Sequence, residues 1–282
     1  MWNKRRRMLA CLGTLLLSAS LPVWADNLEE VQQKKQLRIA VYNNFPPYSF
    51  QGKGIDVDLG QALAERLGVR PEVVWFSADD DMNDDLRNMV WKGHYLGTKP
   101  ADVMMHVPVD QHLAAQNDKV QIFGPYHMEA VAVARNPARV QALSGSAAIA
   151  LEVFTREKVG VERTTLADSF LLGALNGRLR ENVVHYGSVA EATAGLKNGE
   201  VAAVMAPRTE LEAALGKDSG YALGPVKMPE LKVDSWALGM AVKADSPELA
   251  NALNKALTDL EKDGTVAKIF ARYGVTRQAP GS

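Results

Sequence analysis

Residues 37–76, LRIAVYNNFPPYSFQGKGIDVDLGQALAERLGVRPEVVWF, hold the pattern that decides the fold class. Leu37 to Tyr42 has the alternation of a strand, and Pro46-Pro47 marks a turn. From Asp56 to Leu67, the residues Leu59, Ala62, Leu63 and Leu67 recur on one helical face, and Gly68 supplies a stop. Glu72 to Phe76 returns to β-rich composition, so the segment reads strand, helix, strand with parallel strands. A second helix is predicted from Met82 to Lys92, capped by Asp80 or Asp81, followed by a strand over Ala101 to Met105.

The same alternation restarts later. Lys158 to Glu162 reads as a strand, Thr165 opens a helix with Asp168 three residues on, and Gly177 ends it. Asn182 to Tyr186 is the next strand. Ser188 and Glu191 form a capping box for a helix ending near Gly199, before a strand over Glu200 to Met205. Two separate series predict two α/β lobes. Ala130 to Arg135 suits a crossing from the first lobe to the second, and Trp236 to Lys243 a crossing back, which makes a two-strand hinge. After Ser246 and Pro247, the residues Leu249, Leu253, Leu257 and Leu260 line one face of a closing helix. The expected division is residues 1–25 as leader, 26–131 and 236–282 as lobe 1, and 132–235 as lobe 2.

The leader reading rests on Lys4, Arg5, Arg6 and Arg7, the apolar stretch Met8 to Ala19, and the cleavage pattern Val23-Trp24-Ala25. That apolar stretch is shorter than the ~20 residues a membrane-spanning helix needs. It predicts export to the periplasm by the general route, although Arg5-Arg6 with Met8-Leu9 is also a loose twin-arginine pattern. Cys11, the one cysteine, would leave with the leader, so the mature chain would have no disulfide, thiolate nucleophile or sulfur-ligated metal. Loss of the four basic residues moves the formal charge from −1 to −5. Such a balance argues against nucleic acid and anionic membranes as partners.

The chain resembles the type II periplasmic solute-binding proteins related to binders of polar amino acids, solute-binding family 3. The resemblance lies in Leu37-Arg38-Ile39-Ala40-Val41, Phe45-Pro46-Pro47-Tyr48, Gly54-Ile55-Asp56-Val57-Asp58-Leu59, Gly124-Pro125-Tyr126, Val159-Gly160-Val161 with Thr164-Thr165, and Asp263-Gly264-Thr265 with Tyr273-Gly274. It implies an α/β, two-lobed type II periplasmic-binding-protein fold. Residues 85–97, DLRNMVWKGHYLG, with Ala101-Asp102-Val103-Met104-Met105-His106-Val107-Pro108, also resemble the branch that accompanies quinoprotein dehydrogenases, the J accessory proteins of methanol oxidation. That implies service to a pyrroloquinoline-quinone-dependent alcohol dehydrogenase, with its cytochrome c as a further partner. The patch Trp91, His94 and Tyr95 would then be a partner surface, since Trp and Tyr favour interface centres; packing between the lobes is the other reading. An importer component working with an ABC permease is the alternative function.

The departures from the family bear on the ligand. Amino-acid binders place an arginine beyond the strand corresponding to Ala101 to Met105, where it grips the ligand carboxylate. This chain has His106-Val107-Pro108-Val109-Asp110-Gln111-His112 there, with no arginine. Where the second lobe offers an acid to the ligand ammonium, Ala206-Pro207-Arg208 stands instead. Ordinary amino-acid recognition is therefore not expected. The candidate ligand residues are Phe45 as a stacking ring, His106, Asp110, Arg208, and Arg163, Thr164 and Thr165, whose helix N-terminus could hold an anion; plain N-capping competes with that last reading.

His94, His106 and His112 match no compact zinc spacing. The run Asp79-Asp80-Asp81 with Asp84 and Asp85 fails as a calcium loop, because Asp84 stands where glycine is needed and Val90 where glutamate is needed. No metal or other cofactor is expected. There is no Gly-x-Ser-x-Gly elbow, phosphate loop or dinucleotide fingerprint, and the chain is not read as an enzyme. A dehydratase on this scaffold, using a carboxylate such as Glu152 or Asp110, is a further alternative.

Overall fold

The computed structural model describes residues 27–217 and 220–281. The leader and its cleavage pattern lie outside the described residues. Helix α1 (Asn27–Lys34) leads into β1 (Gln36–Tyr42), α2 (Ile55–Arg66), β2 (Arg70–Phe76), α3 (Met82–Leu86), β3 (Val103–Pro108), α4 (Gln111–Gln116) and the 16-residue β4 (Val120–Arg135). Then follow α5 (Ala147–Ala150), β5 (Val159–Glu162), α6 (Leu166–Gly173), β6 (Val183–Tyr186), α7 (Val189–Lys197), β7 (Ala203–Pro207), α8 (Arg208–Leu215) and β8 (Ala222–Pro225). The chain closes with β9 (Ser235–Lys243), α9 (Pro247–Lys262) and α10 (Thr265–Arg272).

Strand order is β2-β1-β3-β9-β4-β7-β5-β6, with β8 also on β4. Two sheets share β4. Its first part, Val120 to Ala130, pairs antiparallel with β9, and Val131 to Arg135 pairs with β7 and β8. The crossing out of lobe 1 therefore falls where Ala130 faces Ser235, the first residue of the returning strand. Trp236 sits at this crossing, packed against the apolar cores of both lobes. Apolar residues fill both faces of each sheet: Leu37, Ile39, Leu59 and Leu63 with the tail residues Leu249, Leu253 and Phe270 on one face of lobe 1, Met104, Leu86 and Met89 on the other. The heptad-like leucines of α9 thus pack on the sheet to which β9 returns.

Local chemistry accounts for the element ends. Asp81 caps α3 by accepting from the Asn83 and Asp84 amides. The helix expected to run on to Lys92 instead widens after Leu86 into a π-turn over Arg87–Trp91, closed by the Lys92 amide on the Arg87 carbonyl. That wider turn lets Asn88 reach Asp79 at 2.7 Å while Met89 and Val90 stay buried. The Ser188 box forms: its hydroxyl accepts from the Glu191 amide at 3.1 Å, and the Glu191 carboxylate takes the Gly187 amide at 2.9 Å. Ser246 makes no such cap, and Pro247 begins the helix without it. Gly54 has φ +140, and any Cβ there would lie 2.0 Å from the Tyr48 carbonyl oxygen. Only glycine allows the turn at residues 45–50 to close on the start of α2.

Candidate functional site

The carboxyl ends of the strands in both lobes face one another across the hinge, the edge at which open α/β sheets hold ligands. On the lobe 1 side β1 ends in Tyr42, and the turn after it carries Phe45 and Tyr48. Phe45 stacks on Tyr48 at 5.4 Å between ring centres and meets the His106 ring edge-on at 4.8 Å. His106 has φ 64 at a bulge in β3, a conformation unfavourable for a residue with a side chain. Its partners hold it there. Its amide donates to the Tyr126 hydroxyl at 3.2 Å, and its Nδ1 lies 3.1 Å from Oδ2 of Asp56. The Tyr126 hydroxyl in turn donates to Oδ1 of Asp56 at 2.6 Å. Asp56 is 1% exposed, so this cluster forms the floor of the lobe 1 wall.

A second buried cluster crosses the hinge. Glu129 on β4 accepts from the Tyr48 hydroxyl at 2.7 Å, from the Ala130 amide at 2.9 Å and from the Thr209 amide of α8 at 3.3 Å. Next to it, His127 faces the Thr209 hydroxyl through Nε2 at 2.9 Å and accepts the Gln278 amide at Nδ1. Burial pushes the His127 pKa down to about 3, helped by the nearby His106, Arg277 and Arg208, so the ring is neutral. Burial likewise drives the Tyr48 and Tyr126 hydroxyls well above their ordinary pKa, reinforced by Glu129 and Asp56 respectively.

Lobe 2 presents a different wall. Glu162 ends β5, Ser188 caps α7, and Glu210 stands in the first turn of α8; with Asn44, Phe45 and Pro46 from lobe 1 they line a cavity of ≈ 260 Å³. Glu210 is half-buried where the lobes meet, and it forms no hydrogen bond or ion pair among the described residues. Burial raises its pKa well above the ordinary carboxylate value, and the charges of Glu162 and Glu129 raise it further. Glu162 is raised too, by burial first, with the Val189 amide opposing and Glu191 adding. No lysine, arginine or histidine lines this cavity among the described residues.

The residues singled out from sequence are distributed unevenly. Phe45 lines the cavity, and His106 packs behind it. Asp110 is instead the exposed cap of α4, accepting from the Leu113 amide at 2.8 Å. The anion site expected at Arg163, Thr164 and Thr165 is taken by the chain itself. Asp168 accepts the Thr164 amide at 2.8 Å, Thr165 caps Asp168, and Arg163 is exposed outside the cavity lining. Arg208 pairs with Glu212 at 2.9 Å. The same glutamate takes the Thr276 amide, so Arg208 serves the strap between α8 and the C-terminal tail rather than the ligand wall. Trp91, His94 and Tyr95 are not packed between the lobes: they lie at the end of lobe 1 opposite the hinge, where Tyr95 is 86% and Leu96 75% exposed. The three histidines stay apart, His94 in that loop, His106 on Asp56, and His112 beside Gln116 at 3.0 Å. Among the described residues no group of three or more His, Cys, Asp or Glu is placed to hold a metal ion.

Glu162, Glu210, Asp56 and Glu129 escaped the sequence reading. The signal for Asp56 was present in the Gly54-Ile55-Asp56 stretch, but a first-turn acid reads as a helix-dipole partner. Glu210 had no signal beyond its place two residues after Arg208.

Residues 101–276 match the bacterial extracellular solute-binding proteins, family 3. The chain belongs to this family. It is 27% identical over 281 residues to the L-arginine-binding protein of Pseudomonas aeruginosa, covering 95% of this chain and 96% of that one. A shorter stretch of 93 residues is 36% identical to cyclohexadienyl dehydratase of the same organism, 30% of this chain and 34% of the enzyme. Among solved structures, an ancestral cationic amino acid solute-binding protein superposes with a TM-score of 0.67 at 22% identity, over 88% of this chain and 99% of that one. An amino acid ABC transporter substrate-binding protein from Streptococcus pneumoniae, bound to L-arginine, gives 0.61 at 20% identity, over 90% and 100%. These likenesses give the two-lobed type II fold. Among the described residues no helix is long and apolar enough to cross a membrane.

Proposed function

We propose that this chain is exported to the periplasm and works there as the substrate-binding component of an ABC importer, capturing a small polar solute between lobe 1 (26–131 with 236–282) and lobe 2 (132–235). One observation carries the reading: both lobes contribute walls to a single cavity at their strand ends, joined by two adjacent antiparallel strands. A ligand touching both walls favours the closed arrangement by its differential contacts. Family membership and the amino-acid-binding relatives support it. Thermal shift tests it, because a ligand at 100 times its Kd stabilises the protein by about 2.7 kcal/mol. A panel of amino acids, amines and organic acids should contain at least one stabilising solute, and a flat response across the panel would remove the reading.

A second reading makes the chain an accessory of a quinoprotein alcohol dehydrogenase. The exposed Trp91, Tyr95 and Leu96 remote from the cavity favour it, since such residues are hot-spot types in interfaces. The relatives reported above are amino-acid-binding proteins and lend it no support. Co-purification with the dehydrogenase and its cytochrome c, against co-purification with a permease, separates the two. For a dehydratase, the carboxylates first considered are already engaged: Glu152 with Arg178 at 3.1 Å and Asp110 in its cap.

A further inference from the structure

We propose that the interlobe cavity takes an organic cation, an ammonium or guanidinium on a short stem without a carboxylate, held between Glu162, Glu210 and the Phe45 ring. The inference rests on the receptor reading above and names its ligand class.

The two walls differ in what they leave unmet. Behind Phe45, the buried acids have partners within the protein: Asp56 with Tyr126 and His106, Glu129 with Tyr48 and Thr209. Across the cavity, Glu210 is half-buried in the lining with no hydrogen bond or ion pair among the described residues, and a second acid, Glu162, lies close enough to disfavour its ionisation. A carboxyl drawn partly out of water beside a like charge gains from meeting a donor or an opposite charge. A cation supplies both, and the face of an aromatic ring attracts the same group. A carboxylate on the ligand would find the reverse. The cavity lining contains no basic side chain among the described residues: Arg163 is exposed outside it, Arg208 is engaged by Glu212, and His106 by Asp56. A zwitterionic amino acid would place its carboxylate against acids or apolar atoms. The volume of ≈ 260 Å³ also suits a small ligand, lying just below the roughly 300–1,000 Å³ common for ligand pockets.

Cation binding must then be linked to protons. The groups that act on Glu210 are Glu162 at the end of β5 and Glu129 on β4, while Glu191 acts on Glu162. All are acids, and together with burial they favour the protonated form of Glu210 in the empty cavity. A bound cation reverses the preference, so binding releases a proton and tightens as pH rises toward the raised pKa.

The test is calorimetric titration of the purified full-length mature chain with matched pairs: agmatine against L-arginine, and cadaverine against L-lysine. Each pair differs by one carboxylate. Agmatine or cadaverine should bind at least about tenfold more tightly than its amino acid. Affinity should rise as pH rises above the ordinary carboxylate range, with proton release seen as a buffer-dependent heat. Glu210→Gln should weaken the amine by about tenfold or more and remove the pH dependence, and Glu162→Gln should weaken it without abolishing the proton release. Melting curves of both variants establish that they fold. Equal or tighter binding of the amino acids, or unchanged amine affinity in folded Glu210→Gln, overturns the inference. If an amino acid or organic acid alone stabilises the protein, the cation class falls and the receptor reading stands. If nothing in the panel binds, both fall.

Discussion

The two walls of the cavity come from lobes of the same construction, yet they are finished differently. On lobe 1, the strand ends are closed by a packed aromatic set over buried acids that are hydrogen-bonded inside the protein. On lobe 2, the strand and helix ends leave Glu162 and Glu210 facing the cavity, crowded by like charge. The first wall is therefore already in its working shape, and the second has an electrostatic demand that only something from outside can meet. Satisfied polar clusters rigidify a surface; unsatisfied ones define what it will accept.

The largest expected effect separates the two sides by pH. His127, folded with its pKa near 3, keeps its proton off where the unfolded chain takes one up. Its contribution to stability is complete above pH ~6.5 and is lost as pH falls toward 3, at about 1.4 kcal/mol per pH unit. Glu210 acts with the opposite sign. Its raised pKa makes the folded state hold a proton that the unfolded chain has released, so its presence lowers stability as pH rises above the ordinary carboxylate value. Chemical denaturation across this range should show an acid limb that flattens in His127→Gln and a decline with rising pH above the ordinary carboxylate value that flattens in Glu210→Gln. If neither variant changes the slopes, the contrast between the walls is wrong.

Asp56→Ala should be the most damaging single change on the lobe 1 side. It strands the Tyr126 hydroxyl and frees His106 from the partner that holds its left-handed backbone, so a loss of about 2–4 kcal/mol is expected in urea unfolding. Ser188→Ala removes the side-chain half of the α7 cap beside the cavity, at about 1 kcal/mol by the same measurement. Tyr95→Ser, far from both walls, should change stability by less than about 0.5 kcal/mol and leave ligand binding intact. Loss of a dehydrogenase complex on that last substitution would transfer weight to the second functional reading.

Much of the architecture was legible because it is written in short periods. The β1-α2-β2 stretch, the Asp81, Thr165 and Ser188 caps and the leucine face of α9 all depend on neighbours within a few positions, and the structure reproduces them within a residue or two. The π-turn after Leu86 was not legible: Arg87 to Trp91 have ordinary helical composition, and the widening follows from contacts with Asp79 and the core. Helix α8 was overlooked because it starts directly at Pro207-Arg208, where the chain leaves β7 without a loop. That omission hid Glu210. The expected anion site failed for a local reason, since Asp168 lies in the first turn of α6 and reaches back to the Thr164 amide.

From its sequence alone this protein is an α/β chain with two lobes, two crossings and a stacking ring near the strand ends, lacking the arginine that grips a carboxylate. The lobes and crossings follow from periodicity and turn residues, which act over a few positions; the stacking ring and the missing arginine follow from the resemblance to the solute-binding family. The pairing of Asp56 with Tyr126 and of Tyr48 with Glu129, and the confrontation of Phe45 with Glu162 and Glu210, join residues up to 165 positions apart. Only the folding of β4 through both sheets brings them to one place, because burial and charge proximity are properties of space and not of order along the chain.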